Sequence, residues 1–379
     1  MIHEAALVLE DGRCFRGHAV GARAEGCGEV VFNTGITGYQ EIFTDPSYSG
    51  QIVVLTYPHI GNYGANPHDS ESERPYIEGL VVRDFSPVAS NWRSTQQASD
   101  FLAAHSIPII AGIDTRALVR HLRERGAMRG VVSSLELDVN KLAEKARTIP
   151  KMEGQDLATG VSTKQQYEWR QGLEPCSPSE QVRPGYIQEG QRLHVVAYDF
   201  GIKHNILRAL VQHGCRVTVV PSLTSAEEVL ALNPDGVFIS NGPGDPEPLS
   251  AQVRSIRKLI GRKPIFGICL GHQVLGLALG GKTFKLKFGH HGINHPVRNE
   301  LTGKVEITSQ NHGFCVDPDS LNTTDIEVTH VNLNDQTLEG FRSRKDPVFC
   351  VQYHPEAAPG PHDSRYLFQE FVELMKAAA

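Results

Sequence analysis

The sequence carries no excess of positive charge: 37 Lys and Arg stand against 43 Asp and Glu, a formal net charge of −6. That balance supplies no field for nucleic acid or an anionic membrane surface, and no basic arm is present. No uninterrupted apolar run approaches the roughly 18–20 residues needed to cross a bilayer. The start, Met1-Ile2-His3-Glu4-Ala5-Ala6-Leu7-Val8-Leu9-Glu10-Asp11, lacks the basic segment of a signal peptide, and its short apolar stretch is flanked by acids. Cysteine is sparse. Cys14, Cys27, Cys176, Cys215, Cys269, Cys315 and Cys350 are odd in number, scattered and without a CxxC pair. This argues against a disulfide framework or a zinc knuckle and for a reducing compartment, so a soluble, cytoplasmic protein is expected. Internal repeats and low-complexity tracts are absent too.

What is present is an ordinary globular composition, 40% hydrophobic and 21% charged, over 379 residues. Single cores stop growing at roughly 250–300 residues, so two or three domains are expected. From about Thr163 to Arg192 the chain has little apolar content and carries Gln165-Gln166, Pro175, Pro178, Pro184 and Gly185-Tyr186, the composition of a connector. The expected division is a first domain at 1–150, a connector at 151–192 and a second domain at 193–379.

The second domain alternates strand-like and helix-like segments. His194–Phe200, Arg216–Pro221, Gly236–Ser240 and Pro264–Ile268 are apolar, β-branched runs. Ile202, Ile206, Leu207, Leu210 and Val211 follow helical spacing, Ser225 to Glu228 is a capping-box pattern, and Val253, Ile256, Leu259 and Ile260 mark a further helix. Strands of this kind alternating with helices predict an α/β fold with a parallel sheet covered on both faces, its ligands beyond the strands' carboxyl ends. The first domain is more mixed. Glu29–Asn33 and Gln51–Tyr57 read as strands, and Ala117, Leu118, His121 and Leu122 share a helix face ended by Gly126, an α+β pattern.

The sharpest local signal is Gly267-Ile268-Cys269-Leu270-Gly271, which follows a strand and precedes the helical spacing of Val274, Leu275, Leu277 and Ala278. This is a nucleophile elbow with cysteine in place of serine. Its glycines allow a sharp turn that a Cβ would block, leaving the side chain exposed at the sheet's edge. The helix start favours thiolate and aims N–H groups at a developing oxyanion. A thiol nucleophile needs a base, and the base an orienting group. The strand-like Val348–Tyr353 leads into His354-Pro355-Glu356, where extended residues two apart would let Glu356 hold the imidazole. Asn241-Gly242-Pro243-Gly244-Asp245-Pro246 follows another strand, and its turn offers N–H groups to the same oxyanion.

NGPGDP, GICLGHQ and HPE in this order resemble the triad-type (class I) glutamine amidotransferases. Nearly the full chain is similar to the glutamine-hydrolysing small subunits of carbamoyl-phosphate synthetases. Residues 32–62, 195–208, 287–297, 310–314 and 354–363 carry that likeness. The resemblance implies a triad of Cys269, His354 and Glu356. It also implies glutamine contacts from Ser47, Gly242, Gly244, Leu270, Gln273, Asn311, Gly313 and Phe314, with oxyanion N–H groups from Gly242 and Leu270 and a pocket at the domain interface. It implies no cofactor or metal in this chain, and a heterodimer with a large subunit that uses ATP, Mg and bicarbonate to make carbamoyl phosphate for arginine and pyrimidine synthesis. Tyr353, Ile293 and Cys315 depart from the family's pattern. They bear on pocket shape, since none is a triad position.

Other readings compete. A stand-alone or other-pathway amidotransferase would share the same motifs. Gly276-Leu277-Ala278-Leu279-Gly280-Gly281-Lys282-Thr283 satisfies the phosphate-loop expression, yet it falls inside and at the end of a helix instead of opening one. His290, His291, His295 and His312 suggest a metal, but Gly292 and Pro296 break any helix that would align them. A binding module that has lost catalysis would have replaced a triad residue, and all three are present.

Overall fold

The computed structural model describes residues 3–173 and 193–378. They fall into two units, Met1–Gln155 with Leu286–Ile293, and Asp156–Lys285 with Asn294–Ala379.

In the first unit, seven strands close a barrel: β1 (Glu4–Leu9), β2 (Cys14–Val20), β3 (Glu25–Asn33), β4 (Gln51–Leu55), β5 (Gly79–Val81), β6 (Ile109–Ala111) and β7 (Met128–Ser133). Their order is β1-β2-β6-β5-β4-β3-β7. The neighbours from β3 through β6 are parallel and the remaining pairs antiparallel. Alternate residues of one strand serve different clusters. Val31, Val53, Leu80 and Ile109 enter one, and Val30, Ile52, Val81 and Ile110 another. Both faces are therefore covered, which is why residues 52–55 of β4 are continuously apolar. The predicted helix is α1 (Thr115–Arg125). Asp114 caps its start by accepting the Ala117 N–H at 2.9 Å, and Gly126 closes it at φ +102°.

In the second unit ten strands form one sheet: β8 (Tyr167–Trp169), β9 (Leu193–Asp199), β10 (Cys215–Pro221), β11 (Gly236–Ile239), β12 (Ile265–Ile268), β13 (Thr283–Asn299), β14 (Val305–Val316), β15 (Ile326–Asn332), β16 (Leu338–Ser343) and β17 (Val348–Val351). The order is β8-β10-β9-β11-β12-β17-β16-β15-β13-β14. The predicted parallel sheet is its centre, β10-β9-β11-β12-β17. From β17 outward through β16 and β15 to β13 the pairing is antiparallel, because those strands are joined without crossover helices.

Helices α2 (His204–Gln212), α3 (Ala226–Ala231), α4 (Ser250–Leu259), α5 (Leu270–Ala278) and α6 (Tyr366–Ala377) cover this sheet. Val196, Tyr198 and Phe200 share a core with residues of α3, α4 and α5. Val195 and Ala197, pointing the other way, pack with α2 and α6. The capping box at Ser225 and Glu228 forms in both directions.

The predicted connector differs from what is seen. Among its described residues, the Thr163 N–H donates to Asp199 Oδ2 at 2.7 Å, and β8 pairs antiparallel with β10. This part belongs to the second unit, because Tyr167 and Trp169 pack on its core. Pro175, Cys176, Pro178, Pro184, Gly185 and Tyr186 lie outside the described residues.

The GLALGGKT segment ends a helix. Gly280 sits at φ +93°, its N–H donates to Leu277 O at 3.1 Å, and the Gly281 N–H donates to Gly276 O at 2.9 Å. That is a Schellman cap, so carbonyls and not N–H groups are presented there. Thr283 donates to Glu247 Oε1 at 3.2 Å. A Cβ on Gly280 would meet nothing within 4 Å, whereas one on Gly271 would lie 2.2 Å from Ile239 O. Gly280→Ala is expected to cost about 1 kcal/mol through its left-handed backbone alone. Gly271→Ala is expected to cost about 3 kcal/mol by overpacking. Denaturant unfolding compares them. Lys282→Ala is expected to leave the isolated chain's Mg-ATP titration unchanged from an undetectable baseline, checked by calorimetry.

Candidate active site

Cys269 stands between β12 and α5 at φ +56° and ψ −106°, a strained conformation for a residue with a Cβ. Two backbone bonds hold it there. Its N–H donates to Val351 O at 2.9 Å, and its carbonyl accepts the Gln273 N–H at 3.1 Å. The turn is possible because Gly267 and Gly271 let backbone and side chains approach where a Cβ would collide. The expected exposure is corrected. The Cys269 residue is only 2% exposed, and its Sγ lies 3.6 Å from Asn311 O of β14, which covers the elbow.

The predicted strand geometry for His354 and Glu356 is corrected as well. β17 ends at Val351, and the two residues sit in a turn in which the Ala357 N–H donates to His354 O at 3.1 Å. Ala357 adopts φ +48°. The turn still brings the side chains together, with His354 Nδ1 2.6 Å from Glu356 Oε1. The His354 N–H donates to Ser309 O of β14 at 2.9 Å. Nε2 is buried and has no other hydrogen-bond partner among the described residues, which leaves it for the thiol.

Sequence reasoning missed Lys203. Its Nζ donates to Glu356 Oε1 at 2.8 Å, and both side chains are almost wholly buried. No sequence signal marked it, since a lysine just before a helix is ordinary and its burial shows only in the fold. Asn241 Oδ1 accepts the Lys203 N–H at 3.1 Å, and Asp199 Oδ1 accepts the N–H groups of Gly201 and Ile202 at 2.8 Å each. Burial is the largest influence on both titrating groups and opposes both charges, pulling His354 down and pushing Glu356 up. Their partners outweigh it. The Glu356 carboxylate and the Cys269 thiol hold His354 above the usual imidazole range. Lys203 and His354 hold Glu356 below the usual carboxylate range.

Several other candidates gather around the elbow. A Cβ on Gly242 would lie 2.2 Å from Phe200 O and 2.8 Å from Leu270 Cδ2, so the loop that also holds Gly244 (φ +88°) packs against Leu270. Gln273 Nε2 donates to Phe314 O at 2.8 Å and to Gln352 Oε1 at 3.1 Å. Asn311, Gly313 and Phe314 follow one another along β14. Ser47 belongs to the first unit, buried in a short 3-10 turn where its N–H donates to Asp45 Oδ1 at 2.9 Å. Ile293, His290 and His291 also fall in the first unit, His295 and His312 in the second. Tyr353 and Cys315 are fully buried. Burial pushes the Cys315 and Cys350 thiols well up.

Among the described residues, no helix is long and apolar enough to cross a membrane. Residues 196–374 match the family Glutamine amidotransferase class-I, and residues 7–132 match Carbamoyl-phosphate synthase small chain, CPSase domain. A carbamoyl phosphate synthase small chain of Syntrophotalea carbinolica is 58% identical over 98% of both chains. One from Thermosynechococcus vestitus is 55% identical over 98% of this chain and 97% of its own. One from a Nostoc species is 54% identical over 98% of this chain and 95% of its own. The chain belongs to the carbamoyl phosphate synthase small chains, and from residue 196 to residue 374 to the class-I glutamine amidotransferases.

Proposed function

We propose that this chain hydrolyses glutamine through Cys269, His354 and Glu356 and passes the ammonia to a large subunit that makes carbamoyl phosphate from bicarbonate and ATP. The reading is carried by one observation: a cysteine on a strained elbow faces an imidazole whose far nitrogen is held 2.6 Å from a buried carboxylate. The side-chain amide of glutamine lies over the thiolate, contacted by residues of the Gly244 loop and by Gln273, Asn311, Gly313 and Phe314. Sulfur attacks the amide carbon, and the N–H groups of Gly242 and Leu270 hold the oxyanion. His354 then gives its proton to the departing nitrogen as the C–N bond breaks, leaving a γ-glutamyl thioester and ammonia. Water, losing a proton to the same imidazole, attacks the thioester, and glutamate leaves as the thiol is restored. Glu356 keeps the ring oriented and charged, and Lys203 keeps Glu356 ionised. In this scheme ATP and Mg are assigned to the large subunit. Arginine and pyrimidine synthesis are the consumers the family implies.

Cys269→Ser is expected to lower glutamine hydrolysis by about 10⁴-fold or more, while the complex still makes carbamoyl phosphate from added ammonia. Cys315→Ser is expected to retain most activity. Trapping of a thioester on Cys315 instead of Cys269, read by peptide mass, would reverse the assignment.

His354→Asn is expected to lose about 10³–10⁴-fold in turnover, and Glu356→Gln measurably less. The pH profile carries a second test, with signs set by the partners. Without the Glu356 carboxylate, His354 loses its proton at lower pH, so in Glu356→Gln the alkaline limb moves down. Without the Lys203 charge, Glu356 takes up a proton at higher pH, so in Lys203→Met the acid limb moves up. Steady-state kcat/KM from acid to alkaline pH checks both directions.

A further inference from the structure

Glu306, near the start of β14, is a second buried carboxylate, only 6% exposed. Among the described residues no cation pairs with it. It accepts three neutral donors: Tyr366 OH at 2.8 Å, Asn299 Nδ2 at 3.3 Å and Tyr353 OH at 3.4 Å. Burial is the first cause that pushes its carboxyl above the usual range, and the three hydrogen bonds pull against it. An ion-free buried carboxylate costs stability that an apolar side chain of similar size would not.

The donors come from different elements. Tyr366 opens α6, Asn299 ends β13, and Tyr353 is the residue immediately before His354. The Tyr353 ring is fully buried and meets the His330 ring edge to face at 5.6 Å and 74°. β14 thus grips the turn of the base at two points, the Tyr353 hydroxyl on Glu306 and the His354 N–H on Ser309 O. The same strand places Asn311 O against the thiol. A slip of the turn relative to β14 would move His354 Nε2 away from Cys269 while leaving the pair with Glu356 intact, because those two residues travel together.

We propose that Glu306 is a positioning residue for His354, acting through the Tyr353 hydroxyl to fix the turn of the base in register with the elbow. This rests on the glutaminase reading above.

The test uses the full-length chain and four variants: Tyr353→Phe, Glu306→Ala, the double variant and Tyr366→Phe. Tyr353→Phe is expected to lower kcat for glutamine hydrolysis about ten-fold with KM changed less than about two-fold, since misplacement of a reacting group by a fraction of an ångström acts on the transition state. Glu306→Ala is expected to fall similarly, and the double variant no further than the worse single one, the mark of coupled residues. Tyr366→Phe removes a hydroxyl from the same carboxylate on the helix side. It is expected to lower Tm yet keep kcat within about two-fold. The rate of Cys269 alkylation by iodoacetamide, read by peptide mass, needs no glutamine and is expected to fall in Tyr353→Phe. Wild-type kcat and alkylation in Tyr353→Phe would overturn the proposal, as would losses that multiply in the double variant. If the unchanged chain failed to hydrolyse glutamine while Tyr353→Phe still slowed alkylation, the positioning role would stand and the glutaminase reading would fall.

Discussion

The arrangement depends on one buried carboxylate oxygen. Glu356 Oε1 receives Lys203 Nζ at 2.8 Å and His354 Nδ1 at 2.6 Å. A lone ion at that depth would cost several kcal/mol, and its charge is tolerable only because two cations face it. The three groups come from segments about 150 residues apart in the chain, so the ion triad forms only when the ends of β9 and β17 are adjacent to the elbow. Around it the backbone is tied in the same way. Asn241, following β11, accepts from the Lys203 N–H and donates to Gly201 O at 3.0 Å, and Asp199 at the end of β9 closes the turn that delivers the lysine. The chemistry and the joining of the strand ends are one network.

The strand ends can meet this closely because the backbone approaches itself at glycines. A Cβ at position 242 would sit 2.2 Å from Phe200 O, and one at position 271 would sit 2.2 Å from Ile239 O. Each contact spans neighbouring strands of the parallel centre, β9 with β11 and β11 with β12. Close packing leaves no room for the turn after β12 to relax, which is what holds Cys269 at positive φ. The sequence shows these glycines, but it shows them as a turn signal. Their tertiary reason, contact with carbonyls on the neighbouring strand, is visible only in the fold.

Legibility followed periodicity. The strands and helices from Leu193 to Ile268, the capping box at Ser225 and the helix ending at Gly126 were readable because each carries a local pattern with a local cause. The barrel was not, since short strands such as Gly79–Val81 and Ile109–Ala111 are too brief to show a period and gain their identity from partners far along the chain. The antiparallel half of the second sheet was hidden in part by its glycines and histidines. Of the proposed site, Cys269, His354 and Glu356 stand on motifs, and the structure brings the side chains of His354 and Glu356 together. The turn that joins His354 to Glu356 was misread as extended backbone, because a period of two in a sequence cannot tell a strand from a turn that happens to return its side chains to one side. Lys203 went unnoticed for a different reason: a lysine beside a helix start is ordinary, and only burial makes it unusual.

Proximity of cysteine to histidine does not by itself define the site, and the same unit provides the comparison. Cys350 Sγ lies 3.2 Å from His272 Nδ1, and Cys315 Sγ lies 3.8 Å from His312 Nδ1. Burial pulls the His272 imidazole down to about 3, its Nε2 has no partner among the described residues, and burial pushes the Cys350 thiol well up. Both members of that pair are therefore neutral at physiological pH, the thiol keeping its proton and the imidazole carrying no positive charge. For His312, Nε2 rests on the neutral amide oxygen of Gln310 at 2.9 Å. At His354 the far nitrogen meets a carboxylate that is itself held ionised by a buried lysine. In water a thiol and an imidazole would titrate independently. In this interior the charge of the imidazole beside Cys269 is set by the carboxylate two positions beyond it and, through that carboxylate, by a lysine that follows a different strand of the parallel centre.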